Sequence, residues 1–200
     1  MTRTVEQLPE GYEQIDEVDL QNNRKIAWFL NLGALAVGII MGLVAHLFVP
    51  IGTLFDSSKG LLAYAIRFGV LLVGMIAYII LHEIVHGITM KAFGAPKIRY
   101  GFTGLYAFAG CDSYFDKVSY ITVALAPVVV WGLVLLVLNF LVPAEWFWVV
   151  YMIQIINLSG AAGDAFVTCK FAAMPADILV LDRGTGMKVY SKNESNSAKR

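Results

Sequence analysis

Long apolar stretches alternate along the chain with shorter polar ones, and this pattern predicts a protein that crosses a membrane four times. A transmembrane helix needs about 20 predominantly apolar residues. Four segments meet that requirement, and we expect helices at residues 26–49, 61–90, 118–142 and 146–170. The predicted fold class is therefore an all-α polytopic membrane protein with four transmembrane helices.

Two of the segments outside these helices favour short β-hairpins. Residues 94–117, between the second and third spans, are rich in glycine and aromatic residues, which predicts a hairpin or a re-entrant strand pair. In the tail, two short apolar runs flank Asp182-Arg183-Gly184-Thr185-Gly186, which predicts a small cytoplasmic hairpin with glycine at its turn.

The same pattern divides the chain into three parts. We expect residues 1–25 to form a cytoplasmic N-terminal segment, residues 26–170 to form the four-helix transmembrane domain, and residues 171–200 to form a cytoplasmic tail. The first part is polar and acidic, so a solvated leader is favoured over a regulatory arm.

Composition and charge agree with a membrane location. The chain is 58% hydrophobic and 15% charged, against about 25% charged in soluble domains. Thirteen lysine and arginine residues lie in the N-terminal segment, the second connection and the tail, whereas the two opposite connections contain Lys59 alone. This bias predicts a multi-pass protein of the cell membrane with both termini in the cytoplasm. The formal net charge is zero and no basic stripe occurs, so we expect the lipid bilayer as a partner and no nucleic acid.

The candidate chemistry is concentrated in His82-Glu83-Ile84-Val85-His86, an H-E-x-x-H motif inside the second span. Residues four apart share one face of a helix, so both histidines can bind a single Zn²⁺ ion. Glu83 lies beside them, where a carboxylate serves as the general base of a metallopeptidase. Ionisable residues in a membrane span are costly and usually functional, which strengthens the interpretation.

The predicted third ligand is Asp164, the remaining acidic residue inside the four spans. His86 lies five residues before Lys91, and Asp164 lies six before Lys170. Both positions are therefore within roughly 10 Å of the cytoplasmic ends of their helices. A catalytic zinc takes three protein ligands and keeps one open position. Alternative third ligands, if a loop folds back, are Asp112, Asp116 and Asp177.

Three further polar residues lie in the predicted spans, and each has a different expected role. Asn157 lies seven residues before Asp164 on a similar face, where it binds a substrate backbone, holds a water beside the ligands, or makes a plain interhelical hydrogen bond. His46 is too far from the predicted metal depth, and an interfacial or packing role is favoured. Arg67 is expected to extend to the lipid headgroups.

With these residues in view, the chain resembles two related families. A histidine pair on a transmembrane helix, an aspartate beside a glycine at Gly163-Asp164, and Ala126-Pro127 are similar to features of the site-2 protease family of intramembrane zinc metalloproteases. The order Gly-Asp is the reverse of that family's Asp-Gly. The chain more closely resembles a bacterial integral-membrane family described as 'putative zincin peptidase', from residues 8–12 through the motif to Asp182-x-Gly184-Thr185-Gly186.

Together these features predict a membrane-embedded zinc peptidase that cuts peptide bonds of membrane or juxtamembrane polypeptides near the cytoplasmic face. His82, His86 and Asp164 are the predicted zinc ligands, and Glu83 is the predicted general base. The rival hypotheses are a metal carrier or sensor that binds zinc without hydrolysis, and a scaffold that cuts nothing. The glutamate beside the first histidine favours the enzyme, because ion passage needs no general base.

Overall fold

The computed structural model describes residues 4–19, 23–104, 106–184 and 186–192. Thr185 and the chain termini, with Arg3, Lys199 and Arg200 of the charge pattern, lie outside these residues. The chain forms two compact units. Unit 1 comprises Met1–Trp28, Glu83–Ala126 and Gly163–Arg200, and unit 2 comprises Phe29–His82 and Pro127–Ala162.

Long apolar helices dominate the structure. They are α1 (Arg24–Phe48), α2 (Leu61–Ala92), α3 (Lys117–Leu141), α4 (Phe147–Gly160) and α5 (Ala162–Ala172), with short 3₁₀ turns at Ile51–Phe55 and Ala144–Trp146. Four segments among the described residues are long and apolar enough to cross a membrane, the fourth being Ala144–Ala172. They coincide with the four predicted spans.

The fourth predicted span is two helices instead of one. α4 ends at Gly160, Ala161 has a non-helical ψ of 15°, and α5 begins at Ala162. Glycine is unfavourable inside a helix, because it loses more backbone entropy there than any other residue. Gly160 and Gly163 therefore weaken the helix on both sides of the break at Ala161, and the hydropathy of the segment does not reveal it.

Unit 1 contains a five-stranded antiparallel sheet, which extends the β structure beyond the two hairpins predicted from the sequence. The strands are β1 (Thr4–Val5), β2 (Tyr12–Val18), β5 (Tyr114–Asp116), β6 (Leu179–Asp182) and β7 (Met187–Lys192), in the order β1-β5-β6-β7-β2. β3 (Arg99–Phe102) and β4 (Ala107–Gly110) form a separate hairpin. The two predicted hairpins are thus confirmed as β3–β4 and β6–β7.

Residues 4–5 and 12–18 of the N-terminal segment are strands of the sheet, so the prediction of a solvated leader is wrong for them. β2 pairs with β7 along its length, and Val18 at its end is 2% exposed. A bulge between Gln14 and Asp16 shifts the register of the strand. This shift breaks the alternation of apolar and polar residues by which a strand is recognised in a sequence.

Each unit has its own core. In unit 1, Val18, Phe115, Phe171, Val180 and other buried residues pack together. The core of unit 2 includes Ala45, Leu54, Leu71, Trp148 and Val149.

Two polar side chains of unit 2 support its turns. His46 Nδ1 accepts a hydrogen bond from the backbone N–H of Ile51 at 2.9 Å. Arg67, which was expected to extend to the headgroups, is instead 3% exposed and donates to the backbone carbonyls of Thr53, Leu54 and Asp56. Carbonyl groups at the end of a helical turn have no intrahelical donors, and a buried cation satisfies them.

Candidate metal centre

Two of the predicted ligands lie on α2, which is unbroken from Leu61 to Ala92. The helix contains no proline, and His82 and His86 lie about one turn apart on the same face. The boundary between the two units falls inside this helix, after His82. The continuous backbone of α2 therefore sets the spacing of the two imidazoles.

The third predicted ligand lies at the start of a helix. Asp164 is in the first turn of α5, directly after the break at Ala161. The first turn of a helix carries a partial positive charge, which favours a carboxylate at this position. The break therefore gives Asp164 a position that an uninterrupted span would not provide.

The three side chains come together. Ligand atoms of His82, His86 and Asp164 all lie within 4.8 Å of one another. Nε2 of His86 is 3.6 Å from Oδ1 of Asp164, and these side chains are 12% and 21% exposed. Glu83 is half-buried on the same helix. Among the described residues, this is the group of metal-binding side chains that has the spacing of a single ion site.

The orientation of His86 follows from a proline in α3. Nδ1 of His86 lies 2.9 Å from the backbone carbonyl of Val123. A carbonyl only accepts hydrogen bonds, so Nδ1 carries the proton and Nε2 keeps its lone pair. Within a helix that carbonyl would accept from residue 127, but Pro127 has no N–H. The proline therefore leaves the Val123 carbonyl available to His86.

His82 is connected to a second buried network. The hydroxyl of Tyr78 lies 2.8 Å from His82 Nδ1 and donates to Oδ1 of Asn157 at 2.9 Å. Nδ2 of Asn157 donates to the Val128 carbonyl at 3.2 Å, and Asn157 is fully buried. Asn157 is thus connected to His82 through Tyr78.

One side chain of the hairpin β3–β4, Tyr100, lies against the motif helix. A Cβ atom placed on Gly87, the residue after His86, would lie 2.0 Å from the hydroxyl oxygen of Tyr100. Any side chain at position 87 would therefore displace this tyrosine. The glycine allows the hairpin to approach α2 directly beside the second histidine.

A further carboxylate in unit 1 lies in a buried position. Asp182, on β6, accepts hydrogen bonds from the Tyr120 hydroxyl and from the backbone N–H of Gly184, both at 2.7 Å. Burial raises the pKa of Asp182 to about 6. The negative charge of Asp164 also raises this pKa, whereas the two hydrogen bonds lower it. Asp182 is therefore half-protonated near pH 6.

The alternative third ligands have partners elsewhere. Asp112 forms ion pairs with Arg99 and Arg183. Asp116 accepts hydrogen bonds from the N–H and hydroxyl of Ser119. Asp177 accepts from the Ser191 hydroxyl and from the backbone N–H of Lys192. The cluster with the histidines contains Asp164 alone among these carboxylates.

Sequence reasoning did not identify Tyr78 or the Val123 carbonyl. The spacing of four residues from Tyr78 to His82, and of four from Val123 to Pro127, is visible in the chain. The first spacing places a hydroxyl on the face of the ligands, and the second marks a carbonyl without a helical donor. Neither spacing shows which residue of another helix contacts the Tyr78 hydroxyl or the Val123 carbonyl.

The donor set suits zinc. Two imidazole nitrogens and one carboxylate oxygen are zinc ligands, and three of them leave the fourth position of a catalytic site open. Two ligands of a tetrahedral zinc are separated by about 3.4 Å, from metal–ligand distances of about 2.1 Å. The 3.6 Å between His86 and Asp164 agrees with this separation.

The chain is similar to a described protein family and to a protein of Pyrococcus woesei. The model of a family described as 'Putative zincin peptidase' matches residues 75–179, which include both histidines, Glu83 and Asp164. A protein of Pyrococcus woesei, described as "Uncharacterized 24.7 kDa protein in gap 5'region", is 31% identical over 166 residues, covering 79% of this chain and 68% of that protein. No solved structure matches the chain.

These findings place the chain among the metallopeptidases, with zinc as the cofactor of the class. The chain belongs to the family described as 'Putative zincin peptidase'.

Proposed function

We propose that the protein is a membrane-embedded zinc peptidase that hydrolyses peptide bonds of membrane or juxtamembrane polypeptides near the cytoplasmic face. The observation that carries the proposal is the cluster of His82, His86 and Asp164, whose ligand atoms lie within 4.8 Å of one another. Two of these residues belong to a helix of membrane length. Residues of this kind are retained inside a membrane span for function.

The surfaces of the helices support the membrane location. Trp28 and Phe29 on α1 are each 73% exposed, and Phe140 on α3 is 82% exposed. Apolar patches of this extent are unfavourable in water. Helices of this length and composition bury such patches against lipid. The lysine and arginine bias supports termini in the cytoplasm, and hence a site near that face of the membrane.

The side chains of the site divide the work of hydrolysis. His82, His86 and Asp164 would hold the metal, and zinc, when bound, polarises a peptide carbonyl and lowers the pKa of a bound water. Glu83 accepts the proton of the attacking water as the bond from the water oxygen to the carbonyl carbon forms. It then returns this proton to the leaving amine as the peptide C–N bond breaks. The Val123 carbonyl holds the imidazole of His86 in the orientation that binding requires.

Mapping new N-termini in membranes tests the proposal. Membrane vesicles that contain the wild-type protein are compared with vesicles that contain Glu83→Gln, which keeps the size of the side chain and removes the base. We expect new N-termini with the wild type that are absent with the variant, while both proteins hold equal zinc. Equal zinc with identical sets of N-termini would instead support a carrier, a sensor or a scaffold.

A further inference from the structure

We propose that Tyr78 is a positioning residue that holds His82 in the one tautomer that can bind the metal through Nε2. The inference rests on the proposed function in one respect, namely that His82 is a zinc ligand. It concerns a buried chain of hydrogen bonds that runs from His82 through Tyr78 and Asn157 to the Val128 carbonyl.

The direction of this chain follows from its far end. The Val128 carbonyl only accepts hydrogen bonds, so the amide atom of Asn157 that faces it at 3.2 Å is the donor Nδ2. The acceptor Oδ1 must then face Tyr78, and it receives the single hydroxyl proton at 2.9 Å. The oxygen of Tyr78 is thereby left to accept from His82 at 2.8 Å. His82 Nδ1 therefore carries the proton, and Nε2 carries the lone pair.

Burial makes the reverse direction unfavourable. Tyr78 is 6% exposed and Asn157 is fully buried. Turning the amide would place Oδ1 against the Val128 carbonyl, and a buried polar atom without its hydrogen bond costs about 1–3 kcal/mol.

Packing also holds the chain of hydrogen bonds in place. The ring of Tyr78 packs edge-on against Trp131, with ring centroids 6.4 Å apart. Nδ2 of Asn157 lies 3.4 Å from where a Cβ on Gly132 would stand, so a side chain at position 132 would crowd the amide. Packing therefore limits the movement of both Tyr78 and Asn157.

Asn157 acts on His82 through Tyr78. Its side chain is fully buried and both ends of its amide make hydrogen bonds, which leaves no surface for a substrate backbone. Without Asn157, the hydroxyl proton of Tyr78 would be able to turn toward His82 Nδ1 and favour the opposite tautomer. Removal of such supporting groups around metal ligands typically weakens metal binding 10–100-fold.

Histidine NMR of the metal-free protein tests this directly. The chain has three histidines, so ¹⁵N-histidine signals in detergent are assignable with His46→Gln and His86→Gln variants. Long-range ¹H–¹⁵N correlations distinguish the two neutral tautomers. We expect the Nδ1–H form for His82 in the wild type, and a shift toward the Nε2–H form in Tyr78→Phe and in Asn157→Leu. An Nε2–H form in the wild type would overturn the proposal.

Zinc affinity, measured by chelator competition, supplies the second readout. We expect the zinc dissociation constant to rise 10–100-fold in Tyr78→Phe, and the double variant with Asn157→Leu to bind no more weakly than Tyr78→Phe. The matched control is Tyr151→Phe, which removes a hydroxyl that donates to the Met41 carbonyl and should bind zinc as the wild type does. Wild-type affinity in both Tyr78→Phe and Asn157→Leu would overturn the proposal.

The two readouts separate this inference from the proposed function. The tautomer is read without zinc or substrate, so a wild type that binds zinc but cuts nothing leaves the inference standing. If zinc binds and cleavage occurs but the tautomer of His82 is unchanged in Tyr78→Phe and Asn157→Leu, the inference fails and the peptidase remains. If Tyr78→Phe does not fold, Asn157→Leu, which keeps the Tyr78 hydroxyl, is expected to show the same shift in the tautomer of His82.

Discussion

Nε2 of His86 and Oδ1 of Asp164 face each other at 3.6 Å across α2 and α5. This separation exceeds that of an N–H···O hydrogen bond, about 2.7–3.2 Å, and matches two ligands that share one ion. The relationship supports Asp164 as the proposed carboxylate ligand, in preference to Asp112, Asp116 and Asp177.

The first prediction concerns those other carboxylates. Asp112→Asn, Asp116→Asn and Asp177→Asn should each retain zinc at the wild-type stoichiometry, because each carboxylate is bound by its own partners away from the histidines. Elemental analysis of the purified variants measures this. Loss of zinc in any one of them would mean that a loop supplies the third ligand.

A second prediction concerns Pro127. Pro127→Ala restores an N–H that competes with His86 for the Val123 carbonyl. A proline inside a helix costs roughly 3 kcal/mol, so the variant should be at least as thermally stable as the wild type. Its zinc affinity should nevertheless fall by about tenfold.

Melting temperature and chelator competition on the same sample measure the two effects of Pro127→Ala. Ala126→Gly, beside the proline, adds no competing N–H at position 127 and serves as the control. Unchanged zinc affinity in Pro127→Ala would show that the proline does not act on His86.

A third prediction uses Asp182, whose pKa is raised from 3.8 to about 6 by burial. Below pH 4 the carboxyl is protonated in both the folded and unfolded states. Between pH 4 and 6 the folded state keeps a proton that the unfolded chain loses, so stability falls as pH rises. The total loss is about 3 kcal/mol, and it stays constant above pH 6.

Thermal unfolding between pH 4 and 8 tests this assignment. Asp182→Asn, which resembles the protonated acid, should gain stability over the wild type as pH rises toward 7. Asp177→Asn is the contrasting case, because hydrogen bonds lower the pKa of Asp177 below 3.8 and its contribution to stability is lost only on acidification below this pH range. Parallel pH profiles for wild type and Asp182→Asn would contradict the assignment.

A fourth prediction concerns the close approach of β4 to the β6–β7 turn. A Cβ on Gly110 would lie 2.5 Å from the backbone of Arg183 and of Gly184, and neither backbone atom can move aside cheaply. Gly110→Ala should therefore destabilise the protein by about 1–3 kcal/mol. Gly186→Ala, whose Cβ meets its nearest neighbour at 3.6 Å, is the matched control. Equal melting temperatures for the two variants would refute the close approach.

The sequence was most informative where one physical rule governs the chain. Apolar length located the four segments of membrane length, and the spacing of four residues placed His82 and His86 on one face. Depth along the helices then selected Asp164, and the structure brings it to the histidines. These features depend on local composition and on counting residues.

What the sequence did not disclose depends on contacts between distant segments. The strand β2 carries a bulge and buries few of its side chains, so its pairing with β7 leaves no simple pattern. The break at Ala161 lies inside an apolar stretch of membrane length, where hydropathy gives no warning. The hydrogen bond from His86 to Val123 joins α2 and α3, and the sequence of neither helix shows that the two are neighbours.

The zinc content of detergent-purified protein, for wild type, Glu83→Gln and Asp164→Ala in parallel, tests the proposed metal site. We expect about one zinc per chain in the wild type and in Glu83→Gln, because Glu83 is not a proposed ligand, and loss of zinc in Asp164→Ala. A wild type without zinc, or an Asp164→Ala variant that retains it in full, would show that these three residues do not form a zinc site.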